Sequence, residues 1–352
     1  MSLFIRGFRN TSKRSTVTML IVSILALLSI STFAQSDHLV PEASVDVKFA
    51  DYVKQLRAEA EIKGFSAELL DPVFASIKMR ENVVKADKNQ PETKLTLDKY
   101  LSTRVPDWKV KKALEQMQEH SQLLNKIEKK YGVQKRFIVA LWGNESNFGH
   151  IQGNHPVLSS LVSLAFDGRR EALFKKQFFA ALIILSEGHV SLEDFTGSWA
   201  GAMGQSQFMP TSFLSYAVDG DGDGKKDIWS TPEDVFASIA NFLSKEGWNG
   251  QQTWGRQVKL SKSFDINTIN KFSGLAKEKM LTMSTWDTLG VTRFDDTALP
   301  NVNIKASLIL PDDASGRIYL AYNNFHTLMR WNRSLYFGVS VGYLADRISK
   351  GS

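Results

Sequence analysis

The sequence contains no cysteine, and outside one short segment it has no strong excess of either charge. Without cysteine neither a disulfide nor a lipid-modified cysteine can form, so we expect a protein that is not a lipoprotein. No acidic residue precedes residue 35, where Arg6, Arg9, Lys13 and Arg14 supply +4 of the net charge of +6. The remaining +2 (6 − 4) is too small to indicate nucleic acid as a partner.

The composition also excludes two classes of protein. Of the 352 residues, 43% are hydrophobic and 23% are charged, which fits neither a disordered chain nor a polytopic membrane protein. A chain of this length can form two or three packed units, each with its own core.

The four N-terminal cations precede the apolar run "VTMLIVSILALLSISTFA", which ends in small residues and is followed by the polar "QSDH". This pattern is typical of a secretory signal peptide, 1–34, cleaved after Ala34. The alternative is an uncleaved membrane anchor, although the run is shorter than the ~20 residues that a span needs. We therefore predict an exported, periplasmic protein.

Apolar residues recur at helical spacing through the first half of the chain, for example in "SQLLNKIEKKYGVQKRFIVALWGNE". Between 251 and 322 the runs become shorter and polar turns separate them, which predicts a small β-rich insert. Helical spacing returns in "FHTLMRWNRSLYFGVSVGYLADRI". The polar stretch "KADKNQPETK" is the expected loop between the first helices and the central unit.

Glu145 lies in "ALWGNESNFG", where a predicted helix buries its apolar side. Phe137, Leu141 and Glu145 are successive i+4 positions, so the carboxyl lies on the apolar stripe. Such surroundings raise the pKa of a carboxyl, and a carboxyl that stays protonated near neutral pH can act as a general acid. The alternative is a helix-terminal glutamate that faces solvent or pairs with an arginine.

The segment "GSWAGAMGQSQFMP" carries little side-chain bulk, so its backbone can approach a ligand closely. Ser198 and Gln207 add polar groups that can bind a sugar or a carbonyl. Alternatively, the segment is a close-packed backbone crossing that binds no ligand.

The third motif is "DGDGDGKKD", in which Asp219, Asp221 and Asp223 match positions 1, 3 and 5 of an EF-hand loop. Lys225 would contribute its backbone carbonyl at position 7, and Asp227 could ligate directly or through water. Position 12 is a serine, so the last acid is displaced into "TPEDV", a helix start that offers Glu233 and Asp234. The motif predicts structural calcium, against the alternative of a solvated acidic turn.

The motifs "ALWGNESNFG", "GRR", "SWAGAMGQSQFMPTSF" and "VDGDGDGKKDIW" follow one another in an order that resembles the lytic murein transglycosylase B family. The resemblance extends over most of the chain after the signal. It implies a mainly α (α+β) protein with a lysozyme-like catalytic core. The expected parts are the signal peptide 1–34, a helical N-terminal region 35–119, the core with its EF-hand-like loop 120–250, a small β-rich domain 251–322, and a C-terminal helical segment 323–352 that returns to the core.

The resemblance also implies roles for individual residues. Glu145 would be the single catalytic acid/base, with Ser198 and Gln207 in support. Arg169 and Arg170 match an arginine pair that faces the substrate, although a solvated basic pair is the alternative. Among the calcium ligands the resemblance favours Asp234 over Glu233.

Aromatic residues stand where the family tends to place tyrosines that line the cleft, namely Phe242, His326 and Trp331. Phenylalanine and tryptophan can stack on a sugar face, but the phenolic hydrogen bonds are missing. Phe242 and Trp331 are therefore candidates for contact with substrate. Burial in the core is an equal alternative for each, and it is the expected position of Phe242, which lies three residues past Ile239 on a predicted helix.

The implied reaction is lytic transglycosylation of peptidoglycan: cleavage of the bond between N-acetylmuramic acid and N-acetylglucosamine with closure of a 1,6-anhydro ring. No obvious second catalytic acid lies beside Glu145, whereas most glycosidases need two carboxylates. The alternatives are a lysozyme-like muramidase and a non-catalytic wall-binding protein on the same fold. Expected partners are glycan strands, their peptide stems and the cell-wall synthesis machinery, with a monomeric protein and no organic cofactor.

Overall fold

The computed structural model describes residues 44–89 and 95–351, so the predicted signal peptide lies outside the described residues. In this part of the chain, seven short strands accompany fifteen α-helices. The helices are α1 (Val45–Ile62), α2 (Ala67–Ser76), α3 (Glu81–Lys88), α4 (Leu97–Arg104), α5 (Asp107–Glu119), α6 (Ser121–Tyr131), α7 (Lys135–Ser146), α8 (Val157–Phe166), α9 (Glu171–Ser186), α10 (Pro210–Tyr216), α11 (Pro232–Lys245), α12 (Asn267–Phe272), α13 (Met283–Thr288), α14 (Asn323–Trp331) and α15 (Leu335–Lys350). The strands are β1 (His155–Pro156), β2 (Thr196–Gly197), β3 (Gly255–Leu260), β4 (Leu281–Thr282), β5 (Val291–Arg293), β6 (Lys305–Ile309) and β7 (Ile318–Ala321). The predicted fold class, mainly α with a small β part, is confirmed.

Helix α7 lies at the centre of the main core. Every residue from Phe137 to Asn144 is buried, because α5, α6, α11 and α15 pack around it. Ser340 on α15 donates a hydrogen bond to the Asn144 side chain on α7, with a donor–acceptor distance of 3.2 Å. A helix that is buried on all sides needs apolar residues on all sides. The apolar residues of α7 therefore extend beyond one helix face.

The C-terminal helices follow the sheet directly in the chain. The sheet has the antiparallel order β4-β6-β7-β3-β5 and its own apolar core around Trp286. On α15, Gly342 faces the indole of Trp254, and a Cβ atom there would lie 2.3 Å from the ring. The glycine therefore allows α15 to pack against the segment that leads into β3.

The N-terminal helices contact the core through α8. The backbone N–H groups of Lys78 and Arg80 donate to the hydroxyls of Ser159 and Ser163, at 3.2 and 2.8 Å. The expectation of a loop over "KADKNQPETK" is wrong for its first residues, because α3 continues to Lys88 and buries Asp87. The domain boundaries remain a prediction, since the described residues from Ser44 onwards form one compact unit.

None of the described helices is both long enough and apolar enough to cross a membrane.

Candidate active site

Glu145 lies in the last turn of α7, directly before a strained turn. Asn147, Phe148 and Gly149 all have positive φ, at 51°, 59° and 82°. A phenylalanine in the left-handed region is rare and persists only where its surroundings hold it. Here the Phe148 ring is buried against α7, and it packs on the Trp142 ring with centroids 5.4 Å apart. The turn therefore ends α7 at a fixed position, one residue after Glu145.

Gly143 provides the space that the Phe148 ring occupies. A Cβ atom at residue 143 would lie 2.7 Å from Cε1 and Cζ of Phe148. We expect Gly143→Ala to lower the free energy of unfolding by about 1–3 kcal/mol, the usual cost of overpacking a core. Urea unfolding measures this loss. The double variant Gly143→Ala/Phe148→Leu should recover part of it, and an unchanged midpoint in the single variant would contradict the close contact.

The Glu145 carboxyl is part-buried and accepts one hydrogen bond. Nε1 of Trp331, on α14, donates to Oε1 of Glu145 at 2.5 Å. Burial raises the pKa of Glu145 to about 7, while the Trp331 hydrogen bond and the charge of Arg104 lower it in part. A carboxyl with this pKa is half protonated near neutral pH, so it can donate and accept a proton in turn.

Trp331 is held in place by aromatic rings. Its centroid lies 4.7 Å from that of Phe242 and 5.2 Å from that of Phe208. Phe242 is only 6% exposed, so it supports the Trp331 ring from within the core. His326 lies earlier on α14, with Nε2 at 3.2 Å from the hydroxyl of Ser307 on β6, and burial lowers its pKa.

The glycine-rich segment folds into a tight backbone crossing beside β1 and β2. Met203 forms isolated bridges with Gly197 and with Phe208, and a Cβ atom at Gly153 would lie 2.2 Å from the carbonyl oxygen of Gly197. The Ser198 hydroxyl accepts from Ala202 N–H at 3.0 Å and keeps its proton to donate. The backbone of this segment is therefore closely packed, as expected for a backbone crossing. Polar groups that could bind a ligand lie beside it.

The Gln207 side chain is partly engaged. Its Nε2 donates to the carbonyl oxygens of Gly204 and Gln152, at 2.8 and 3.0 Å. Its backbone φ is 51°, which makes it the third non-glycine residue with a positive φ in this region, after Asn147 and Phe148. Gln205 was not identified from the sequence. It connects the glycine-rich segment to α7, because Trp142 Nε1 donates to its Oε1 at 2.7 Å.

The structure places Arg169 and Arg170 together at the start of α9, where both donate to the carboxylate of Asp87. Asp87 is 3% exposed, whereas the two arginine side chains are half exposed, at 50% and 42%. Arg169 also donates to the Asp87 carbonyl oxygen at 2.7 Å. The pair thus attaches α3 to the core, and its role toward substrate stays a prediction.

Two cations near Glu145, Lys109 and Arg104, were not predicted from the sequence. The Lys109 ammonium is buried and donates to Gly143 O at 3.1 Å. Burial and the charge of Arg104 lower the pKa of Lys109 to about 8. Gly143 O is one of the last carbonyls of α7, which lack helical partners, so the cation caps the negative end of the helix. A lysine on an amphipathic helix gives no signal of this role.

The acidic loop brings Asp219, Asp221 and Asp223 together, with one oxygen of each within 4.8 Å of the others. Asp219 accepts from Gly222 and Gly224 N–H at 2.6 and 2.9 Å, and these bonds lower its pKa. Asp234 is buried at the start of α11, and burial raises its pKa to about 6.

Asp234 connects the two ends of the loop, because Gly220 N–H and Asp227 N–H both donate to its carboxyl. The carboxylate of Asp227 instead accepts from Trp229 and Ser230 N–H, at 2.9 and 3.0 Å. The loop thus presents three clustered carboxylates, and a fourth braces its base.

Comparison with known proteins identifies the family of the chain. A family model described as the transglycosylase SLT domain matches residues 48–346. The chain is 27% identical over 298 residues to membrane-bound lytic murein transglycosylase B of Escherichia coli (strain K12), across 81% of this chain and 79% of that protein.

Two solved structures are similar in fold and sequence. SltB3 of Pseudomonas aeruginosa, in complex with NAG-anhNAM-pentapeptide, is 37% identical with a TM-score of 0.81, over 86% of this chain and 79% of that one. The Escherichia coli lytic transglycosylase Slt35, in complex with calcium, is 25% identical with a TM-score of 0.73, over 85% of this chain and 93% of that one. With a match from 48 to 346, this chain belongs to the transglycosylase SLT domain family.

Proposed function

We propose that this chain is a peptidoglycan lytic transglycosylase in which Glu145 is the single acid and base. The observation that carries the proposal is one part-buried carboxyl with a pKa of about 7, which lies in the last turn of α7 before a strained turn and accepts a hydrogen bond from Trp331. Within the described residues, no second carboxylate perturbs its pKa. The product-like ligand of SltB3, NAG-anhNAM-pentapeptide, supports the same reaction class.

The chemistry follows from one group that changes its protonation state. Protonated Glu145 donates its proton to the glycosidic oxygen as the bond between N-acetylmuramic acid and N-acetylglucosamine breaks. The N-acetyl group of the muramic acid stabilises the positive anomeric carbon, and Ser198 orients that group. The Glu145 carboxylate then takes the proton of the C6 hydroxyl as its oxygen bonds to the anomeric carbon. The acid is regenerated, and no water is consumed.

Other residues carry binding roles in the proposal. Gln207 supports the ligand beside Ser198, and Trp331 together with the Phe242 ring behind it forms an aromatic wall. Arg169 and Arg170 are half exposed beyond their shared contact with Asp87, so their free N–H groups can meet an acidic peptide stem. The site of action is the periplasm, reached through the N-terminal signal.

The product distinguishes this reaction from hydrolysis. Digestion of purified cell wall should yield muropeptides that end in 1,6-anhydro-N-acetylmuramic acid and lack a reducing end. Each is lighter by one water than the product of a lysozyme-like muramidase. Mass spectrometry measures the difference, and a majority of reducing ends would reject the transglycosylase in favour of the hydrolase.

The Trp331 hydrogen bond predicts a pH effect. The N–H stabilises the carboxylate form, so Trp331→Phe should raise the pKa of Glu145 above 7, because the donor that lowers it is lost. The basic limb of the kcat/KM profile follows loss of the acid proton and should move to higher pH. A lost hydrogen bond to a charged group, about 1.5 kcal/mol, corresponds to about one pH unit. Trp286→Phe, which removes an N–H bonded to Ala306 O in the sheet, is the matched control and should leave the profile in place.

The acidic loop supports a structural calcium site. Asp219, Asp221 and Asp223 supply the clustered carboxylates that calcium prefers, and Lys225 would add its carbonyl oxygen. Asp234 would complete the set. Burial raises the pKa of its carboxyl, and the charges of Asp221 and Asp219 raise it further. The ion would join the loop to the start of α11 and offset this repulsion. The calcium complex of the relative Slt35 supports the assignment.

A further inference from the structure

A cavity of about 360 Å³ opens between α5 and the strained turn that follows α7. We call it the Trp108 cavity, and it is lined by Trp108, Lys111, Lys112, Asn147, Phe148 and His150, among others. Asn147 is two residues past Glu145, so the cavity is continuous in sequence with the end of the acid-bearing helix. None of the motifs that predicted the function includes α5.

Trp108 is unusually accessible for its size. It is 57% exposed, whereas each of the other seven tryptophans is buried or part-buried. A large flat indole left in water at the edge of a cavity is a suitable surface for the apolar face of a sugar ring. The buried ammonium of Lys109 lies 5.8 Å from the centroid of the indole ring.

Of the lysine and glutamate residues that line the cavity, two are lysines, Lys111 and Lys112, and one is Glu115. Lys111 is exposed and has no ion-pair partner within 4 Å among the described residues, and Lys112 reaches Glu115 only at 3.8 Å. Ion pairs this weak and exposed contribute little, so both ammonium groups can bind another carboxylate. The stem peptides of peptidoglycan carry carboxylates.

We propose that the Trp108 cavity is a subsite for the peptidoglycan strand, in which Trp108 stacks on a sugar ring while Lys111 and Lys112 bind a carboxylate of the attached stem peptide. This inference rests on the proposed function, because it assumes a glycan strand bound across Glu145. It explains the exposed indole and the unpaired lysine together.

The test compares KM for two substrates, glycan strands with stem peptides and strands from which an amidase has removed them. Trp108→Ala should raise KM about five- to tenfold for both substrates, and kcat should fall by less than KM rises. Trp108→Phe keeps a ring and should recover part of the loss. The double variant Lys111→Gln/Lys112→Gln should raise KM for stem-bearing strands and leave KM for bare strands near the parental value.

A matched control comes from Phe294, an aromatic residue that is 59% exposed and has the Lys259 ammonium 5.0 Å from its ring centroid. Phe294→Ala should leave both KM values at the parental level. Parental KM values in Trp108→Ala, with the parent active, would overturn the subsite. A lysine double variant that affects both substrates equally would overturn the assignment of the stem carboxylate. If the parent forms no anhydro ends, the proposed function itself fails, which is a different result.

Discussion

Glu145→Gln is expected to lower turnover on purified cell wall by about 10²–10⁴-fold, the usual effect of losing a general acid. The loss can exceed this range, because the same group acts in both the bond-breaking and the ring-closing steps. Glutamine keeps the volume and can still accept the Trp331 hydrogen bond, but it has no proton to transfer. The rate of release of anhydro-muropeptides at saturating substrate measures the turnover.

The folded state of Glu145→Gln should be preserved. A carboxyl whose pKa is raised by burial destabilises the fold when it ionises, so removing it should keep or increase the melting temperature above pH 7. Glu278→Gln, at an exposed site in the β-rich part, is the control and should be fully active. Near-parental turnover in Glu145→Gln would remove this residue from the mechanism, and a non-catalytic wall-binding protein would then be the better description.

Removal of calcium should produce the largest change in stability. Calcium at 100 times its Kd stabilises the folded state by about 2.7 kcal/mol through mass action. For a chain of this size that corresponds to roughly 5 °C in melting temperature. Magnesium should have a smaller effect, because it prefers a tighter octahedron and sheds water reluctantly. Thermal melts with calcium, magnesium or a chelator measure the three states.

Two variants distinguish calcium binding at the loop from a general effect of salt on the melting temperature. Asp221→Asn/Asp223→Asn removes two of the clustered carboxylates and should abolish the calcium-dependent rise. Glu193→Gln, an exposed carboxylate outside the loop, should retain it. Equal melting temperatures of the parent in calcium and in chelator, with no calcium found in the purified protein, would contradict the site.

Local patterns in the sequence were enough to predict the helical core, the sheet and the start of α11 after Thr231. Periodicity also placed Glu145 on a buried face of α7, because residues four apart share a helix face. These features depend on neighbours within a few residues of one another. Glycines around the acidic loop belong to the same class, since the loop geometry is set within its own residues.

Contacts between segments that are distant in the chain could not be predicted from local sequence patterns. Trp331 and Glu145 are 186 residues apart, and nothing local to either residue indicates the hydrogen bond between them. Arg169 meets an aspartate 82 residues earlier, in a stretch whose polarity suggested a loop. The positive φ of Phe148 was equally hidden, because its cause is the space above Gly143 and not the preference of phenylalanine.

The long separation between Glu145 and Trp331 also has a consequence for the order of folding. Contacts between residues far apart in sequence form late, because closing a long loop costs chain entropy before the contact stabilises anything. Because α7 precedes α14 in the chain, α7 is synthesised first. Until α14 is made, the carboxyl of Glu145 has neither the Trp331 donor nor the aromatic ring of Trp331 beside it. A partly made chain would carry the acid without a working site, so lytic activity is gained only when the later helices dock onto the earlier ones.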